Sequence, residues 1–230
     1  MWYNKKKPYG DSMKIRDYDL ILWDFNGTLL DDLQYGIDTV NVLLRKRALP
    51  TLDTVEAYYG VFGFPVKDYY EKIGLWRRDE DFSPVANEWM DRYRAYQHTV
   101  GLRPGVEEVL SAILASDTAL GVLSATETEM LIGQLAERDI LSRFSVILGR
   151  DDIYASDKSG LARTYRAAHP DARVLMIGDT SHDLTTARAG GFDCLLVAGG
   201  HESEASLLAS GAPVAKDIYD VGRYLGIWER

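Results

Sequence analysis

Along this chain, short apolar runs alternate with longer stretches in which apolar residues recur every three or four positions. The first run, Asp19-Leu20-Ile21-Leu22-Trp23, ends in a glycine-containing turn and predicts a parallel strand buried on both faces. Similar runs at Leu120 to Leu123, Val146 to Leu148, Val174 to Ile177 and Cys194 to Val197 predict four more strands. Between them, Val109, Leu110, Ile113 and Leu114 mark a helix over Val106 to Ala115, and Leu131, Ile132 and Leu135 one over Thr128 to Arg138. Strands alternating with helices predict βαβ units and an α/β fold built on a doubly wound parallel sheet. Ligands of such sheets sit at the carboxyl ends of the strands.

Residues 33 to 102 break the alternation. Leu33 to Arg47, Leu52 to Tyr59, Val66 to Ile73 and Val85 to Tyr96 all carry helical spacing, separated by turns near Pro50, Gly63-Phe64-Pro65 and Ser83-Pro84. An all-helical insert directly after the first strand predicts a cap packed over that strand's end, with the chain returning to the sheet at Leu102-Arg103-Pro104-Gly105. The expected organisation is an N-terminal extension over 1–13, an α/β core from 14–32 and 103–230, and a helical cap domain over 33–102. Met13 offers an alternative start, because the regular pattern begins after it.

Composition narrows the function classes. With 230 residues, 46% apolar, the chain can fill a core domain plus a small satellite. The 35 acidic residues outnumber 26 basic ones for a net charge of -9, so no general attraction to nucleic acid or an anionic membrane is expected. The single cysteine, Cys194, excludes an internal disulfide and fits a reducing compartment. The basic N-terminus lacks the following apolar run of about 7–15 residues that a secretion signal needs, and no window reaches the ~18 apolar residues of a membrane span. A cytoplasmic location is expected.

Candidate chemistry lies at the ends of the apolar runs. Trp23-Asp24-Phe25-Asn26-Gly27-Thr28 places a carboxylate at the tip of a buried strand, ahead of a glycine turn and a hydroxyl. Such a carboxylate can attack phosphorus if a cation neutralises the approaching charges, although the same string is compatible with an ordinary strand-to-loop turn. Val174 to Asp183 repeats the device, with Asp179 at a strand end and Asp183 four positions later; magnesium prefers oxygen ligands of this kind. Asp183 or Ser181 could also serve only as the N-cap of a helix ending at Gly190-Gly191. Ser124 and Ala125 offer a hydroxyl and main-chain N–H groups for phosphate, and Lys158 a cation at the head of a helix beginning near Ser159.

Taken in order, these elements resemble the haloacid dehalogenase-like hydrolases, and among them the phosphoglycolate phosphatase-like members with a helical cap after the first motif. The resemblance covers residues 17 to 228 and implies a Rossmann-like core, specified further as flavodoxin-like. It implies Asp24 as nucleophile; Mg2+ held by Asp24, Asp179 and the main-chain carbonyl of Asn26, with Asp183 in support; and phosphate held by Ser124 and Lys158. Gly27, Thr28 and Ala125 complete the expected phosphate-binding set. The implied substrate is a small phosphomonoester, and a monomer and a homodimer are both compatible with the sequence.

Asn26 departs from the family pattern. Phosphatases of this kind carry a second aspartate there to protonate the leaving group and activate water, and an amide can do neither. Substitution by His182 or a cap residue, a leaving group that needs no proton, or an aspartyl-phosphate meant to persist would each account for it. The rival readings are a phosphate-binding module that has lost catalysis and a phosphotransferase or phosphomutase. For specificity, Trp76-Arg77-Arg78 could bind an anionic leaving group or form a solvated turn balanced by Asp79, Glu80 and Asp81. Tyr58, Tyr59, Tyr69, Tyr70 and Trp89 have the spacing of core and interface residues, and His201 follows the last predicted strand on the side where the site belongs.

Overall fold

The computed structural model describes residues 13–151 and 158–228. Six strands, β1 (Leu20–Trp23), β2 (Ala119–Glu127), β3 (Val146–Arg150), β4 (Val174–Gly178), β5 (Asp193–Val197) and β6 (Val214–Ala215), form one sheet in the order β3-β2-β1-β4-β5-β6. All neighbours pair in parallel. The five predicted strands are present. β6, two residues long, is too short to leave an apolar run in the sequence. The order also corrects the flavodoxin-like expectation, because β2 and β3 lie in succession on one side of β1 and β4 to β6 on the other. That is the dinucleotide-fold arrangement, with its reversal between β1 and β4.

β1 shows why an uninterrupted apolar run was required. Ile21 and Trp23 point into a cluster with α5 (Val106–Leu114), α6 (Thr128–Glu137) and α10 (Ile218–Tyr224). Leu20 and Leu22 point into a second cluster with α7 (Ser159–Ala168), α8 (Ser181–Gly190) and α9 (Glu204–Ala209). Each such side chain contributes about 1.5–3 kcal/mol of burial, so packing on both faces holds the strand central. Trp23 stands opposite Val122 on one side and Ile177 on the other, which sets the ends of β1 and β4 side by side against β2.

Between β1 and α5 run α1 (Leu33–Lys46), α2 (Val55–Tyr59), α3 (Val66–Lys72) and α4 (Ser83–Tyr96). They pack around their own cluster, which includes Ile37, Leu43, Leu44, Tyr58, Tyr70 and Phe82. The chain enters and leaves this insert through two adjacent antiparallel segments: Asp31 N–H donates to the Gly101 carbonyl at 3.0 Å and Arg103 N–H to that of Leu29 at 2.9 Å. Met13, placed in the predicted N-terminal extension, is partly buried against the core, and the rest of that extension lies outside the described residues. Among the described residues no helix is long and apolar enough to cross a membrane.

Candidate active site

The reversal of strand order places Asp24 and Asp179 beside each other. Asp24 follows β1 and its N–H still donates to the Ile177 carbonyl of β4 at 2.8 Å, while Asp179 directly follows β4. Asp183 lies on the first turn of α8, and ligand oxygens of Asp24, Asp179 and Asp183 all fall within 4.8 Å of one another. Lys158, almost fully buried at the head of α7, places Nζ 2.6 Å from Asp24 Oδ1 and 2.6 Å from Asp183 Oδ1. Lys158 thus pairs with two of the three carboxylates, and the cluster gathers hard oxygen ligands at one point. This donor set fits a divalent cation such as magnesium.

The electrostatics follow from this packing. Burial pushes the Asp24 carboxyl up to about 8 against the pull of Lys158, with Asp183 and Asp179 adding to the rise. Asp179 is likewise raised, chiefly by burial. For Lys158 burial disfavours the charge, but Asp183 and Asp24 outweigh it and its pKa rises. Thr28 Oγ1 donates to Asp179 Oδ1 at 2.7 Å and His201 N–H to Oδ2 at 2.6 Å, so both oxygens of Asp179 are oriented. The N–H and hydroxyl of Thr180 both donate to Asp183 Oδ2, at 2.9 and 2.7 Å. Thr180 is the N-cap of α8, correcting the assignment of that role to Ser181 or Asp183.

Asn26 is built into a second network. Its Nδ2 donates to Asp32 Oδ2 at 2.7 Å and to the Tyr93 hydroxyl at 2.8 Å, and its Oδ1 accepts from Thr126 Oγ1 at 2.9 Å. Thr126 in turn accepts from Ser124 Oγ at 3.0 Å. Asp32 also accepts from the Gly27 N–H at 2.7 Å and from the Tyr93 hydroxyl at 2.9 Å, and its Oδ1 lies 3.2 Å from His201 Nε2. The other ring nitrogen of His201 is 2.9 Å from the Tyr58 hydroxyl. Burial opposes a charge on His201, but Asp32, then Asp179 and Asp24, push its pKa up to about 9. Burial would likewise raise Asp32, yet the His201 charge and the bonds from His201, Asn26 and Gly27 hold it below the ordinary carboxylate range.

Most of the predicted residues converge. Asp24, Asn26, Ser124, Ala125, Lys158 and Asp179 line one cavity between the strand tips and the insert, and His201 shares it. Gly27 and Thr28, expected to face phosphate, have their donors committed to Asp32 and Asp179 instead. Gly27 has φ +70°, and a Cβ there would overlap the Asp179 carboxylate and the His201 ring, so the close approach needs glycine. His182 is not part of the cavity lining and stacks, with centroids 4.5 Å apart, on Phe64, which is. Arg77 pairs with Asp79, and Arg78 with Glu71 and Asp68, on the exposed surface, which supports the solvated-turn reading. Asp32, Tyr93, Thr126 and Arg103 went unassigned in the sequence. Buried Arg103 donates to the Gly27 carbonyl at 2.8 Å and that of Ala198 at 2.6 Å, tying two loops of the site together. A repeated acidic pair, Asp31-Asp32, was the one signal for Asp32.

Residues 21–197 match the family model for haloacid dehalogenase-like hydrolases, and the chain belongs to that family. It is similar to the phosphoglycolate phosphatase of Synechococcus elongatus, 24% identical over 192 residues that span 83% of this chain and 88% of that protein. A haloacid dehalogenase-like hydrolase of Streptococcus pneumoniae superposes with a TM-score of 0.77 at 21% identity, covering 91% of this chain and 99% of its own. Protein tyrosine kinase A of Mycobacterium tuberculosis gives 0.75 at 21% identity, over 94% of this chain and 100% of its own. These two structural likenesses speak to the fold.

Proposed function

We propose that the protein is a magnesium-dependent phosphatase that hydrolyses a small phosphorylated metabolite through a phospho-Asp24 intermediate, with residues 33–102 acting as a cap. The observation that carries this reading is the joint burial of Asp24, Lys158, Asp179 and Asp183 at the strand-order reversal, with the first three lining one cavity. Asp24 is the nucleophile, and Lys158 orients it while offering charge to phosphate oxygens. Ser124 and Ala125, in the part of β2 that runs past its last pair with β1, cradle the same oxygens. Asp24, Asp179, Asp183 and the Asn26 main-chain carbonyl would hold magnesium, which supplies positive charge against the phosphate. Thr28 and the His201 N–H keep Asp179 in place for that purpose.

The test is phosphate release from a panel of small phosphomonoesters with and without magnesium, comparing wild type with Asp24→Ala. Release that depends on the metal and disappears in a folded Asp24→Ala protein is expected. Undiminished release in the variant would defeat the reading.

A further inference from the structure

We propose that the group carried by the substrate's phosphate is a single apolar ring attached through a phenolic oxygen, which makes the substrate an aryl phosphate monoester rather than a phosphorylated carboxylic acid. This inference rests on the phosphatase reading above and adds the identity of the leaving group. It stands on two independent features of the cavity.

The first is shape and chemistry. The cavity measures about 180 Å³, and beyond the phosphate end its walls include Phe62, Tyr70, Phe82, Trp89, Met90 and Met130. An apolar cavity of about 150 Å³ admits one benzene ring, so this space is large enough for a single ring. Among the lining residues the cations are Lys158 and His201, and both are engaged, with Asp24 and Asp183 and with Asp32 respectively. The lining contains no arginine, and Arg77 and Arg78 are spent on surface acids. Asp24, Asp32, Glu127 and Asp179 also line it. A carboxylate on the leaving group would therefore lose water beside like charges, with no free cation among the described residues of the lining to pair with it.

The second feature is the proton supply. Asn26 has no titratable proton, and the donors bonded around it are committed: Thr126 to Asn26, Ser124 to Thr126, Tyr93 to Asp32, and the His201 ring to Asp32. Among the other hydroxyls of the lining, those of Tyr58, Tyr69 and Tyr70 are phenols whose pKa burial raises further, which makes them poor acids. A leaving oxygen that departs unprotonated must be a weak base. A phenol, with a pKa of about 10, meets that need far better than an alkanol near the ~15.7 of water. In the first step an Asp24 carboxylate oxygen bonds to phosphorus, the P–O(aryl) bond breaks, and its electron pair leaves on the phenoxide, which takes its proton from solvent. In the second, water bonds to phosphorus, the bond to Asp24 breaks to return a carboxylate, and the proton of the water passes to solvent.

The experiment compares phenyl phosphate, cyclohexyl phosphate and 2-phosphoglycolate on the wild-type protein with magnesium. The expected kcat/KM for phenyl phosphate exceeds both others at least tenfold: cyclohexyl phosphate loses mainly in kcat, as the poorer leaving group, and phosphoglycolate mainly in KM. Equal or faster turnover of phosphoglycolate would overturn the inference and leave the phosphatase reading standing. Absence of release from every ester would remove the phosphatase reading, and the pocket is then judged by calorimetry alone. There, phenylphosphonate binding at least tenfold tighter than phosphonoacetate supports the apolar-ring pocket, and the reverse order refutes it.

Discussion

The Asn26 side chain donates to Asp32 and accepts from Thr126, so a carboxylate at this position would meet the Asp32 carboxylate at hydrogen-bond distance. In Asn26→Asp the two acids would share one proton, raising a pKa of the pair in the folded state above its unfolded value. A raised folded pKa means the folded state binds more protons, so stability falls as pH climbs from about 4 through that pKa. The expected result is a variant destabilised by about 1–3 kcal/mol at pH 8, with the deficit shrinking towards pH 5, read by thermal unfolding across pH. A pH-independent deficit would contradict the contact. The same shared proton would aid poor leaving groups, so the variant should turn over alkyl phosphates faster than wild type, within the ~10²–10⁴-fold that general acid catalysis supplies. At Tyr69, burial raises the phenol pKa, and the hydroxyl has no hydrogen-bond partner among the described residues. Tyr69→Phe removes that orphan and is expected to raise stability by about 1 kcal/mol; a clear loss in denaturant titration would reveal a bond the hydroxyl makes.

At the level of elements, the start of α8 joins folding to the site. Thr180 caps the helix and holds Asp183 through two hydrogen bonds, so Thr180→Ala should cost about 1 kcal/mol of stability and weaken magnesium binding in the same protein. Calorimetric affinity equal to wild type would show that the hydroxyl serves the helix alone. Periodicity located the helices well where a single apolar stripe faces one cluster, as in α1, α3 and α4. It extended α2 too far, to Leu52, because Thr54 sits in extended backbone and accepts from the Ala57 N–H, which begins the helix at Val55. An apolar Leu52 serves the same cluster from outside the helix, so burial and helicity part company there.

For the whole molecule, burial and mutual repulsion disfavour the charged forms of Asp24 and Asp179 beside Asp183, a dication held there would offset both, and a ligand of the folded state stabilises it. Magnesium should therefore raise the midpoint of thermal unfolding, a chelator should reverse the rise, and Asp179→Asn should abolish it; an equal rise in that variant would place the metal elsewhere. The sequence by itself determined the βα alternation, the helical insert and the order of Asp24, Ser124, Lys158 and Asp179, because each is written locally, as an apolar run ended by a polar residue or as a repeat of three to four. Only the tertiary structure decided the reversal between β1 and β4, the pairing of Asp32 with His201 across 169 positions, the bond from Asn26 to Tyr93 across 67, and the gathering of apolar side chains from the insert into the cavity wall. Those features join residues whose neighbours in the chain have no part in the contact. Their cause is the packing of separate elements against one another, and packing of that kind leaves no pattern along a single stretch of sequence.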